Sequence, residues 1–251
     1  MQEFLFSETY RFLFILLRIG AALMLMPGYS SAYINTRLRL SVAVMVSIIL
    51  VPFLNDLIPA PAETITENFQ IFFIELCYGI FLGVIMQFMY YAINMCGNFV
   101  GQASGFASAQ MFDPTSLNQS IVTETFLSLI AITVIFILDL HHLMLSAVID
   151  SYNIWPAGQP FPIEDMTEYL TSTMNNAFIL GFKIGAPFVA FMVIFYTSMG
   201  LLSRLMPQLN IFFLSLPLQI YLGLGLLLIT CPVMIMWFCR HYEDGLMRFI
   251  H

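Results

Sequence analysis

Asp139, His141 and His142 bring a carboxylate and two imidazoles into four consecutive positions, residue types that bind divalent metals. Neighbouring residues on a helix, however, point about 100° apart, so the two imidazoles cannot easily share one ion. No other His or Cys group stands at a suitable spacing, and no metal site is expected. Glu75, Glu124, Asp139 and Lys183 fall within apolar stretches, where a charge left in lipid costs about 2.5 to 3.5 kcal/mol. Glu124 stands near the start of its stretch and reads as a helix-end residue. Glu75 and Lys183 leave two options open: a proton or ion path, or pairing near helix ends or across subunits. There is no G-x-S-x-G, no H-E-x-x-H and no phosphate-cradling glycine loop, so neither an enzyme nor a cofactor is expected. Cys77, Cys96, Cys231 and Cys239 lack C-x-x-C spacing and read as small buried apolar residues.

The segment from Gly97 to Pro114 is the most informative. Gly97, Gly101 and Gly105 recur every four residues, which bares one helix face to a neighbouring backbone; Gly79 with Gly83 and Gly181 with Gly185 repeat the spacing. After Gly105 the chain turns small and polar, punctuated by Phe106, Met111 and Phe112 and ending at Asp113-Pro114. Those bulky groups either pack on the protein's own helices or fill a lumen, where flexible Met and Phe exclude water without fixed polar contacts. A second run, Arg204-Leu-Met-Pro207-Gln208-Leu-Asn210, reads as a polar turn between two helices of a hairpin. Pro207 disfavours helix at Met206, and Gln208 and Asn210 can bond the freed backbone groups. Pro217-Leu218-Gln219-Ile220 follows it.

Apolar elements must carry these groups. Of 251 residues 60% are apolar and 9% charged, with a formal charge of −7. A soluble domain carries about 25% charge, so the solvent here is lipid or the flank of a partner. With Lys plus Arg at 8 there is no basic stripe, which excludes nucleic-acid binding. Glu3 and Glu8 stand where a signal peptide would be basic, so the first apolar stretch is expected to stay.

Six apolar stretches are visible, at residues 10–26, 40–54, 69–96, 121–148, 175–203 and 211–238. At about 1.5 Å per residue the second reaches about 22 Å and the third about 42 Å, against a bilayer core of about 30 Å. An undersized helix needs protein over its ends, which hints at partners. Pro27-Gly28 and Pro52 end the first two stretches, while Pro187, Pro217 and Pro232 are expected to kink the last two. Residues 163–174 and the group Tyr242, Leu246, Phe249 and Ile250 have helical apolar spacing and read as surface or interfacial helices. For six spans the basic residues divide evenly, Arg11, Arg240 and Arg248 against Arg37, Arg39 and Arg204, so charge sets no orientation.

Together the Gly97-Asn98-Phe99-Val100-Gly101 to Phe112-Asp113-Pro114 segment, the Arg37/Arg39 turn and Arg204-x-x-Pro207-Gln208-x-Asn210-x-Phe212 resemble the FliR family, the R component of the bacterial type III export gate, called SctT in injectisomes. Pro217-Leu218-Gln219-Ile220 looks like the flagellar branch. The resemblance implies an all-α fold of hydrophobic hairpins with kinked and broken helices, assembling with P and Q subunits. It implies a P-like portion at about 1–174, a plug loop near 104–118 and a Q-like hairpin at about 175–251. Phe106, Met111, Phe112, Asp113 and Pro114 would form the plug. Unfolded flagellar proteins would pass, the B-type switch protein of the apparatus would be a further partner, and the assembly would sit in the inner membrane within the basal body, largely on its periplasmic side. The competing reading is a stand-alone secondary transporter, with Glu75 and Lys183 as binding machinery; against it stand the lack of repeat symmetry and the balanced basic residues.

Overall fold

The computed structural model describes residues 2–31, 34–62, 64–106, 122–206, 208 and 211–250. Among them the fold is all-α, with seven α-helices and no strand: α1 (Gln2–Leu25), α2 (Thr36–Leu54), α3 (Ile65–Ala103), α4 (Val122–Ile137), α5 (Leu140–Ile154), α6 (Ile163–Leu205) and α7 (Ile211–Leu246). Local chemistry accounts for many of the ends. Asn35 caps α2, its side-chain oxygen accepting from the Arg37 N–H at 3.1 Å. Glu67, Glu124, and Glu164 with Asp165 occupy the first turns of α3, α4 and α6, and Arg204 the last turn of α6, each where the helix dipole favours its sign.

Three expectations about the elements need correction. The second apolar stretch is not undersized: its helix begins at Thr36, outside the run of apolar residues, and its 19 residues are enough to cross a bilayer. The segment 163–174 is no separate surface helix but the first turns of α6, which runs unbroken for 43 residues. Pro187, Pro217 and Pro232 lie inside helices that run on past them, so none of them ends its stretch. The interruption comes instead at Leu138–Asp139, where Asp139 adopts φ 56 and divides the fourth stretch into α4 and α5. Hydropathy could not reveal that break, because a left-handed residue changes direction without changing composition. Finally, Tyr242, Leu246 and Phe249 are buried and do not form an interfacial face.

Among the described residues four helices are long and apolar enough to cross a membrane, and the broken α4–α5 pair makes a further candidate span. The chain forms two compact units. The first comprises residues 1–89, 139–174 and 243–251. In it α1 packs on α2, and Gly79 and Gly83 of α3 let α1 approach until a side chain at either position would meet Arg18, Ala21, Ala22 or Leu25. Tyr78, Phe81, Trp155, Phe161, Tyr169 and Phe249 form an aromatic cluster there.

The second unit comprises residues 90–138 and 175–242. There the end of α3 lies against both α4 and α6. A Cβ on Gly97 would lie 2.6 Å from the Glu124 Cα of α4, and one on Gly181 of α6 would lie 2.8 Å from the Ala92 carbonyl oxygen. A Cβ on Gly185 would lie 2.5 Å from the Phe99 ring. The four-residue glycine spacing thus marks true close approaches.

Candidate functional site

Two constellations stand out, one in each unit. The first is a buried ion pair. Arg18 of α1 donates from Nε to Glu75 Oε2 of α3 at 2.6 Å and from Nη2 to Oε1 at 3.1 Å, with both side chains at 0% exposure. The guanidinium also donates to Ser151 Oγ at 3.3 Å and to the Trp155 carbonyl at 3.2 Å, while Gly158 N–H donates to Glu75 Oε1 at 3.3 Å. Tyr152 and Tyr78 cover it, with the guanidinium carbon 3.9 Å and 4.6 Å from their ring centres. A planar fork and delocalised charge suit arginine to this combination of bidentate pairing and aromatic stacking.

The pair gives Glu75 a partner within its own unit. Its two oxygens are both engaged within the chain, by Arg18 and the Gly158 N–H. Arg18, which entered neither side of the basic-residue count, is the partner sequence reasoning missed; an arginine well inside an apolar stretch signals a buried carboxylate. Lys183 is different, for it is exposed on α6 and has no ion-pair partner among the described residues. Glu124 is a helix-start residue as expected, accepting from Asn98 Nδ2 at 2.8 Å.

The second constellation lies where α3 ends. Val100 O accepts from Ser104 N–H at 2.9 Å and from Ser104 Oγ at 2.6 Å, and Gln102 O accepts from Gly105 N–H at 3.2 Å. Gly105 adopts φ +76, so it is the residue that turns the chain out of the helix, a conformation other residues resist. It therefore does more than bare a helix face. The next described residue, Phe106, is half-buried, and Gly101 is buried. Met111, Phe112, Asp113 and Pro114 lie outside the described residues.

Gln219 of α7 closes this helix end. Its side-chain amide donates to Gln102 O at 3.1 Å, Ala103 O at 3.0 Å and Tyr196 Oη at 3.1 Å, and the residue is 4% exposed. Close packing accompanies the bonds: a Cβ on Gly223 would stand 2.7 Å from the Ser104 Cα, and one on Gly105 3.3 Å from Gln219 Cδ. Gln219 lies within a run already notable in sequence, but its contact across 117 positions had no sequence signal.

The remaining sequence candidates scatter. Arg204 and Gln208 are exposed near the end of α6, and Pro207 and Asn210 lie outside the described residues. Asp139, His141 and His142 place their ligand atoms within 4.8 Å of one another, with the imidazole centres 4.1 Å apart, closer than ideal helical spacing suggested. Asp139 precedes the helix in a left-handed conformation, which brings its carboxylate 3.6 Å from His142 Nδ1. No fourth His, Cys or acidic residue joins them among the described residues.

Residues 9–245 match the family described as bacterial export proteins, family 1. The chain is similar to the flagellar biosynthetic protein FliR of Caulobacter vibrioides, 29% identical over 94% of each chain. It is also similar to FliR of Bacillus subtilis, 27% identical over 88% of this chain and 86% of that one. A more distant similarity, 26% identity over 64% of this chain and 62% of the other, is to the Yop proteins translocation protein T of Yersinia pestis. With the match spanning nearly the whole chain and an all-α fold of long apolar helices to carry it, this protein belongs to the bacterial export proteins of family 1.

Proposed function

We propose that the chain is the R-type subunit of the flagellar type III export gate, a non-enzymatic channel component of the inner membrane that lets unfolded flagellar proteins pass and blocks small solutes when idle. The observation that carries this reading is the family match over residues 9–245, with FliR proteins as relatives along nearly their whole length. P- and Q-type subunits and the B-type switch protein are its partners, and the assembly sits largely on the periplasmic side. Residues 1–174 form the P-like portion and 175–251 the Q-like hairpin.

Within that reading, residues 104–118 are the plug, with Phe106, Met111 and Phe112 as sealing groups next to Asp113-Pro114. Two features support it. The root of the segment is anchored by buried hydrogen bonds and a left-handed glycine, which gives a loop a fixed point of departure. Its tip residues are bulky and apolar without any Lys or Arg.

The test is deletion of residues 106–112 in cells carrying the whole apparatus. Membrane conductance to small ions should rise while the complex still assembles. Unchanged conductance would remove the plug assignment. Native mass spectrometry of the co-expressed chain with its P- and Q-type partners checks the assembly itself, where a lone monomer or homodimer would count against the gate.

A further inference from the structure

We propose that Asp139, His141 and His142 form a binding site for a divalent transition-metal ion of the zinc type, held by one carboxylate oxygen and two imidazole nitrogens. The inference rests neither on the plug nor on the gate reading. All three ligands lie in the first unit, within four positions of one another.

Local structure brings them together. Leu140, Met144, Ala147 and Val148 are buried and fix which face of α5 packs inward, while Asp139 and His142 stay exposed. Asp139 O accepts from His142 N–H at 2.9 Å, which closes the first turn. Neighbouring helical residues point about 100° apart, which argues against a shared ion inside a helix. The first turn is different. Helical side chains lean towards the N-terminus, and here no earlier turn of the same helix blocks them. Both imidazoles can therefore lie side by side, with ring centres 4.1 Å apart. Asp139 meets them from the other direction: it is the one non-glycine residue with positive φ among the described residues, and its carboxylate stands 3.6 Å from His142 Nδ1.

That distance suits coordination better than direct bonding. A nitrogen-to-oxygen hydrogen bond needs about 2.7 to 3.2 Å, so 3.6 Å is too long for one. Two ligands on a tetrahedral zinc, each about 2.0 to 2.2 Å from the ion, stand about 3.3 to 3.6 Å from each other. The ligand atoms of all three residues lie within 4.8 Å of one another, so a small side-chain rotation at half-buried His141 completes the set. No other group of three His, Cys, Asp or Glu side chains comes this close among the described residues. Two imidazoles with one carboxylate suit zinc, nickel or copper, whereas magnesium and calcium take oxygen ligands. Three protein ligands leave a position for water. The ion ties the residue that breaks the fourth apolar stretch to the first turn of α5, so coordination as well as packing holds Asp139 in its left-handed conformation.

The experiment uses the full chain, without a histidine tag, solubilised from membranes that carry the whole apparatus. It is stripped with a chelator and titrated with Zn²⁺ against a chromophoric chelator. Wild type is expected to take up one Zn²⁺ per copy of this chain, and Asp139→Asn, His141→Gln and His142→Gln each to bind it at least about tenfold more weakly. Comparison within one assembly cancels any ion held by other components. Asparagine also tolerates the left-handed region, so Asp139→Asn removes the charge without straining the backbone. His241→Gln, on a different helix, is the control and should bind as wild type does. Co²⁺ in place of Zn²⁺ should give visible bands of a site without thiolate ligands. Zn²⁺ at ten times its Kd should slow hydrogen exchange at the His142 amide by up to about tenfold in wild type and not in Asp139→Asn.

No uptake by wild type, or wild-type affinity in the variants, would overturn the site. Weaker binding in both histidine variants with none in Asp139→Asn would leave an adventitious histidine pair and equally overturn it. Unchanged exchange in the zinc-saturated wild type would overturn the tie to Asp139. If one variant does not assemble, the other two decide.

Discussion

Arg18 and Glu75, 57 positions apart, meet in a bidentate ion pair from which water is excluded on every side. The pair joins α1 to α3, and through Ser151, Trp155 and Gly158 it also holds α5 and the turn that follows it. In a chain with so few charges, two buried at one point make that point the anchor of the first unit.

Removing one partner should cost more than removing both. Arg18→Met or Glu75→Leu alone leaves an uncompensated buried charge, which costs about 3 to 5 kcal/mol. The double substitution leaves none and is expected to lose distinctly less than the sum of the two. Thermal unfolding midpoints of the purified complexes give the comparison, and strict additivity would count against a coupled pair.

Close glycine contacts make a second expectation. Gly97→Val drives its side chain into the Glu124 backbone, which cannot yield as a flexible side-chain tip would. Gly225→Ala meets nothing within 4 Å. The first should abolish recovery of assembled complex; the second should be neutral or slightly stabilising, because alanine favours helix by about 1 kcal/mol. Equal yields of the two variants would contradict the packing described.

The bare chain is expected to behave poorly alone. Leu38, Met45, Ile48, Ile49 and Phe53 of α2, and Tyr221, Leu228, Ile229 and Val233 of α7, are exposed and apolar, far more than a soluble surface tolerates. Expressed without the other components of the export apparatus, the protein should aggregate or migrate polydispersely in detergent. A monodisperse monomer in size-exclusion chromatography with light scattering would contradict the need for partners.

Glu75 should have no role in ion coupling. Because Arg18 neutralises it, Glu75→Gln combined with Arg18→Gln is expected to leave export by assembled complexes at about wild-type rates per complex. A loss of export with normal assembly would reinstate Glu75 as a functional charge.

Composition and spacing alone were enough to mark a chain of long apolar stretches for lipid or partner flanks, because hydropathy and glycine periodicity are local properties, while the all-α hairpin fold was implied by the family resemblance. The close approaches at Gly79, Gly83, Gly97, Gly181 and Gly185 were legible for that reason: a missing side chain marks the approach whatever the neighbour is. Other features depended on which residues meet. Arg18 found Glu75, and Gln219 found the carbonyls of Gln102 and Ala103, across separations over which sequence carries no pairing signal. The break at Asp139, and the continuity of α6 through Pro187, likewise lay beyond the local pattern. A left-handed residue and a tolerated proline are settled by the packing around them, and only the tertiary structure supplies that packing.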